Sequence, residues 1–172
     1  MTRWRATATL TNMPNQHPSG LAPALIEELR EQAAKAAEHS YSPYSHFRVG
    51  AALLISLSGV EAEGHAEPII VAGCNVENAS YRLTTCAEQA AIATAVGLYG
   101  PGIRLRAVAV ANLNGAPSMP CGACRQTILE FSGQDLDMPN TWIFYPGEQG
   151  AHAEATLTDL LPAAFRLTQN AR

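Results

Sequence analysis

The sequence predicts an α/β fold in which a mixed sheet is covered by helices on both faces. Short apolar runs alternate with longer segments of helical period, in the order helix, strand, strand, helix, strand, helix, strand, helix. The first two strands are joined by a polar connector without a helix, which predicts an antiparallel pair within a sheet whose other strands are separated by helices. The chain has 172 residues, 47% of them hydrophobic. That length fits one domain with a sizeable core.

Residues 1–20 are polar and carry Pro14, Pro18 and Gly20. They read as a flexible tail ahead of a single domain over 21–172. A helix is predicted from Ala22 to Glu38, with Pro23 suited to its first turn. Leu25, Ile26, Leu29, Ala33 and Ala36 mark its apolar face. Ser42-Pro43-Tyr44-Ser45 breaks the chain. Phe47 to Ile55 is nearly all apolar and reads as a buried strand. Residues 56–67 form the polar connector, and Ile69 to Gly73 the second strand. Gly73 to Tyr81 leaves it as a loop. The next helix is predicted over Cys86 to Leu98, stopped by Gly100-Pro101-Gly102. Arg106 to Ala111 is a strand, residues 112–119 a loop, and Cys121 to Phe131 a helix. Thr141 to Tyr145 is the fourth strand. Thr158 to Phe165 is a short last helix.

The formal net charge is −4, with no run of Lys or Arg. That argues against a nucleic-acid polymer as partner, because phosphate binding draws on clustered cations. No apolar run approaches the roughly 18 residues a membrane span needs. The N-terminus lacks an apolar signal core. These features predict a soluble cytoplasmic protein with no membrane partner.

The cysteines are Cys74, Cys86, Cys121 and Cys124. In a reducing compartment, a Cys-x-x-Cys pair with a third thiol reads as metal-binding or redox rather than as a disulfide framework. Catalytic zinc keeps three protein ligands and an open position. Cys121 and Cys124 supply a pair and Cys86 a third ligand. Both groups open helices, where the positive dipole end and unpaired N–H groups favour thiolate. Cys74 reads as a buried structural thiol. Glu88, two residues past Cys86, is the candidate acid–base group. Other readings stand beside these. Thr85-x-x-Glu88 is also a capping box. The Cys121/Cys124 pair alone suits a redox dithiol. A non-catalytic zinc module has no need of Glu88.

Cys86-Ala87-Glu88 followed by Pro120-Cys121-Gly122-Ala123-Cys124 matches the zinc deaminase signature. With SPYSHFRVGAALL (42–54), GCNVENASY (73–81), TCAEQAAI (85–92), PCGACRQTILEF (120–131) and LTDLLPAAF (157–165), the chain resembles the small cytidine deaminases of the three-cysteine class. The resemblance spans most of residues 21–165 in order. It implies a three-layer α/β/α sandwich and one Zn2+ per chain held by Cys86, Cys121 and Cys124. It implies hydrolysis of cytidine and deoxycytidine to uridine and deoxyuridine plus ammonia, with Glu88 as proton shuttle. Deamination of a modified cytosine nucleoside or nucleoside antibiotic is the alternative.

The resemblance also implies a small-molecule nucleoside site. Asn75 and Glu77 fall where the family binds the ribose 3′-hydroxyl. Phe47 falls where a ring packs on the pyrimidine, and an Ala87 backbone group where the amino group is held. Tyr81 falls near the ribose or a subunit boundary, and Phe165 where a neighbouring subunit's ring closes the site of a homotetramer. Read without the resemblance, Asn75 and Glu77 suit a turn, and Phe47 and Phe165 suit a core. Gln89 stands where the class usually has Arg, and Met119 where it commonly has Ser. Arg125 and Arg82 are then the cations expected to offset thiolate charge. The connector 56–68 is longer than usual, with His65 on it expected to be exposed and inert.

Overall fold

The computed structural model describes residues 17–57, 68–132 and 140–167. The first 16 residues of the expected tail, and most of the connector including His65, lie outside the described residues. Helix α1 spans Pro23–Glu38. Strands β1 (Val49–Leu57) and β2 (Ile69–Cys74) follow. Helix α2 is Ala87–Tyr99, β3 is Ile103–Asn112 and α3 is Gly122–Phe131. Then come β4 (Trp142–Pro146), β5 (His152–Thr156) and the one-turn helix α4 (Leu157–Leu160).

The sheet runs in the order β2-β1-β3-β4-β5. β1 is antiparallel to both β2 and β3, β3 and β4 are parallel, and β4 and β5 are antiparallel. The sheet is therefore mixed, as expected, but has a fifth strand that the sequence reading missed. His-Ala-Glu-Ala-Thr is short, polar and half exposed. It pairs at a sheet edge, so only one side of it needs an apolar neighbour.

The last helix is shorter than expected. Thr156 and Asp159 form a reciprocal capping box that starts it, but Pro162 has no N–H to continue it. Leu161 and Ala164 still pack against the core.

Two cores follow from the period-2 alternation of β1. Ala52 and Leu54 join Ile26, Leu29 and Ala33 of α1, with Ala107, Ala109 and Phe144, on one face. Ala51, Leu53 and Ile55 join Ala91, Ile92 and Ala95 of α2 and Ile128 and Leu129 of α3 on the other. This is the three-layer α/β/α arrangement. Burying Leu29, Leu53, Ile128 or Phe144 completely stabilises the fold by about 1.5–3 kcal/mol for each side chain.

The apolar face of α1 differs slightly from expectation. Ala37 is buried, while Leu25 and Ala36 are only partly covered. The shift places small residues over Gly50, where α1 approaches closest to the sheet.

Residues 17–21 lie against the sheet. The His17 ring packs edge-on to Trp142 and Phe144, and its Nε2 lies 2.9 Å from Glu154.

Candidate functional site

β2 delivers the chain to Asn75 and Val76 at one end of the sheet. Val76 exchanges backbone hydrogen bonds with Thr85, at 3.0 and 2.9 Å. That pairing fixes Thr85, and the chain then turns into α2. Cys86 becomes the N-cap of α2 and makes no side-chain cap bond. Thr85, engaged through its backbone, does not close a capping box with Glu88. The carboxylate of Glu88 is left facing inward, 5% exposed.

β3 ends beside this point, and the loop after it leads to Pro120 and α3. Cys121 is the N-cap of α3, and its sulfur accepts from the Cys124 N–H at 3.5 Å. Two helix N-termini therefore converge. The sulfurs of Cys86, Cys121 and Cys124 lie within 4.8 Å of one another. Cys74 is not part of this group. It is half-buried at the end of β2 and free, rather than fully buried as expected.

The three thiols fit zinc. Bonds of about 2.3 Å to thiolate in tetrahedral geometry suit sulfurs this close. The N-terminal positions place positive partial charge beside three negative ligands. Hydrogen bonding from Cys124 lowers the Cys86 thiol to about 7, against burial and the Glu88 charge. The same bond, with burial and Glu88, pushes Cys124 up. Glu88 is raised, chiefly by burial; its own backbone and the Cys124 thiol oppose the shift.

Arg125 was expected to offset thiolate charge. Its guanidinium donates to Pro120 O at 2.7 Å and Leu160 O at 2.8 Å and contacts the Met119 sulfur at 3.1 Å. It ties the start of α3 to the end of α4.

The thiols and Glu88 open into a cavity of about 310 Å³. Phe47, Asn75, Glu77 and Ala87 line it. Ser45, Thr84, Ser118 and Met119 also line it and were not assigned a role from sequence. The signal for Ser45 lay in the matched stretch around Phe47. The loop residues had no periodicity to mark them.

Asn75 and Glu77 are both buried, and both hold the 40–49 segment. Asn75 Oδ1 accepts from Val49 N–H at 2.9 Å and Ser40 Oγ at 2.5 Å, and Nδ2 donates to Phe47 O at 2.8 Å. Glu77 accepts from the Tyr44 N–H at 3.0 Å, the Ser45 N–H at 3.3 Å and the Ser45 hydroxyl. The Ser45 hydroxyl, helped by these amides, holds its carboxyl below the ordinary value. An amide nitrogen has two hydrogens and a carboxylate about four acceptor positions. Each residue so retains one free position.

Tyr81 and Phe165 do not line the cavity of their own chain. They are 70% and 71% exposed. Gln126, two residues past Cys124, holds the Phe165 backbone at both its N–H (3.3 Å) and C=O (2.8 Å). The Tyr81 ring is 6.5 Å from that of Tyr44.

Residues 24–137 match the family model described as the cytidine and deoxycytidylate deaminase zinc-binding region. The chain is 40% identical over 141 residues to the cytidine deaminase of Sporosarcina psychrophila, covering 81% of this chain and 90% of that one. Among solved structures, it is similar to cytidine deaminase from Mycobacterium tuberculosis, with a TM-score of 0.62 and 39% identity. That match covers 83% of this chain and 98% of the other. Cytidine deaminase from Burkholderia pseudomallei matches with a TM-score of 0.63 and 36% identity, over 81% and 98% of the two chains.

Proposed function

Given that the chain belongs to the cytidine and deoxycytidylate deaminase zinc-binding family, we propose that it converts cytidine and deoxycytidine to uridine and deoxyuridine with release of ammonia. The observation that carries this reading is the three-thiol cluster sharing one cavity with the buried carboxylate of Glu88.

When bound by Cys86, Cys121 and Cys124, zinc brings the pKa of a water toward about 7 and so supplies a nucleophile at neutral pH. Glu88 would take a proton from the attacking water and carry it to ring N3. The second proton, left on the oxygen added at C4, would go through the same carboxylate to the amino group on C4, leaving the C4 carbonyl. The C4–O bond forms, the C4–N bond breaks and ammonia departs. Burial supports this role, because a carboxyl raised toward neutrality both takes and returns a proton readily. An Ala87 backbone group holds the amino group before it leaves.

Asn75 Nδ2 donates to a ribose hydroxyl, and Glu77 accepts from it, through the positions their structural bonds leave free. Phe47 packs on the pyrimidine, as aromatic rings do on bases. Among the described residues no Lys, Arg or His lines the cavity, while Glu77 and Glu88 do. A phosphate there would meet carboxylates without a compensating cation. The substrate is accordingly the nucleoside rather than its monophosphate.

The exposed rings of Tyr81 and Phe165, with Tyr41 and Leu83, support a homotetramer whose sites lie at subunit contacts. Phe165, pinned by Gln126, reaches a neighbouring cavity. Among the described residues no helix is long and apolar enough to cross a membrane. The free thiols suit the reducing cytoplasm as the working compartment.

The test compares wild-type protein with Glu88→Gln by loss of cytidine, deoxycytidine and deoxycytidylate absorbance, with zinc content assayed. Turnover of both nucleosides and not of the nucleotide, abolished in a variant that keeps its zinc, is the expected result. No nucleoside turnover at one zinc per chain would refute the reading.

A further inference from the structure

The segment carrying Phe47 has no regular structure, yet its backbone is held at nearly every polar atom. The Phe47 N–H donates to Ser45 Oγ at 3.0 Å, and its C=O accepts from Asn75 Nδ2 at 2.8 Å. The residues on either side of Phe47 are held by a single distant side chain. Asn114 Nδ2 donates to His46 O at 2.9 Å, and Asn114 Oδ1 accepts from the Arg48 N–H at 2.8 Å.

The clamp is itself braced. The Asn114 N–H donates to Asn112 Oδ1 at 2.7 Å, and the Leu113 N–H donates to Arg48 O at 3.0 Å. Asn112 Nδ2 then reaches Ser118 Oγ at 2.7 Å. Ser118 lines the cavity on the wall that also carries Pro117 and Met119.

His46 has φ of +56°. A histidine in the left-handed region persists when its surroundings over-determine it. The bond to its carbonyl from Asn114 is one such restraint. Relaxation of His46 would turn the chain at the residue just before Phe47, whose ring lines the cavity.

We propose that Asn114 is a positioning residue for the substrate base. It fixes the backbone on both sides of Phe47 and so sets the angle at which that ring meets the pyrimidine. Through Asn112 and Ser118 it also ties this wall of the cavity to the loop forming another wall. The inference rests on the reading of Phe47 as the ring that packs on the base.

The experiment is steady-state kinetics on cytidine for wild type, Asn114→Ala, Asn114→Asp and Phe47→Ala, with zinc content and Tm for each. Asn114→Ala is expected to raise KM about tenfold, the size of losing part of one ring–base stack, with kcat and zinc content unchanged. Asn114→Asp keeps the acceptor for Arg48 but turns a carboxylate oxygen on the His46 carbonyl, so its KM should rise at least as far as that of Asn114→Ala. A lowered Tm or lost zinc with KM unchanged would make Asn114 a merely structural residue and overturn the inference. So would a wild-type KM in both Asn114 variants while Phe47→Ala raises it. A wild-type KM in Phe47→Ala would remove the stacking role of Phe47 itself, a separate failure from that of Asn114.

Discussion

Replacing Gly73 by alanine would place a methyl carbon 2.5 Å from the Ala91 backbone nitrogen and 2.9 Å from its Cα, where ordinary contacts are 3.4–4 Å. The obstacle is backbone, so no rotamer change relieves it. Helix α2 must retreat from β2 by roughly 1 Å to restore ordinary contact. Overpacking of this kind costs about 1–3 kcal/mol. At about 2–4 °C per kcal/mol for a chain of this size, Tm should fall by roughly 2–12 °C. The same retreat moves Glu88 and Cys86, which sit at the start of α2. A misplacement of about 1 Å in a reacting group costs on the order of 100-fold in rate.

Gly50 is the control. A methyl there would lie 2.1 Å from Ala33 O and 2.4 Å from the Ala37 nitrogen. It pushes α1, on the opposite face, which carries none of the site residues. Gly50→Ala should destabilise at least as much as Gly73→Ala, yet leave kcat per folded, zinc-loaded molecule within about threefold of wild type. The assays are thermal melts, zinc content and cytidine turnover at 25 °C. Wild-type kcat in Gly73→Ala, or a larger kcat loss in Gly50→Ala than in Gly73→Ala, would refute the reasoning.

Thr141 is 1% exposed, and its hydroxyl donates to Leu105 O at 2.9 Å beside Ser132 Oγ at 2.8 Å. Thr141→Val should cost about 1–3 kcal/mol in denaturant unfolding by orphaning these groups, with turnover unaltered. The Glu77 carboxyl is lowered from 4.5, first by the Ser45 hydroxyl. A depressed carboxyl contributes stability above its unfolded value, lost as pH falls through the folded one. Glu77 stays ionised at neutral pH, so its protonation should raise KM only below that 4.5, and Ser45→Ala should move the rise to higher pH. Phe165→Ala should raise KM without removing zinc, and should shift the mass in light scattering below that of a tetramer.

The membership of the zinc site was written in the sequence because it depends on short spacings. Cys86 and Glu88 fall in one helical turn, and so do Cys121 and Cys124, and both turns are helix openings with Pro or Thr before them. Most of the apolar face of α1 was legible for the same reason, since the 3.6 period is a local property, and β1 was legible as a continuous apolar run rather than by its faces. What the tertiary structure decided lies in pairings distant along the chain. Whether Thr85 caps Glu88 depended on Val76 claiming the Thr85 backbone, and that leaves Glu88 lining the cavity. Asn75 and Glu77 proved to be braces of the Phe47 segment as well as cavity residues. β5 forms because β4 offers it an unpaired edge, which its own polar residues do not announce. Asn114 reaches His46 and Arg48 because β1 and β3 pair in a register that sets Val49 opposite Asn112. Hydrogen bonds between loops carry no periodicity. They exist only once strand register and helix packing have brought the two backbones within about 3 Å.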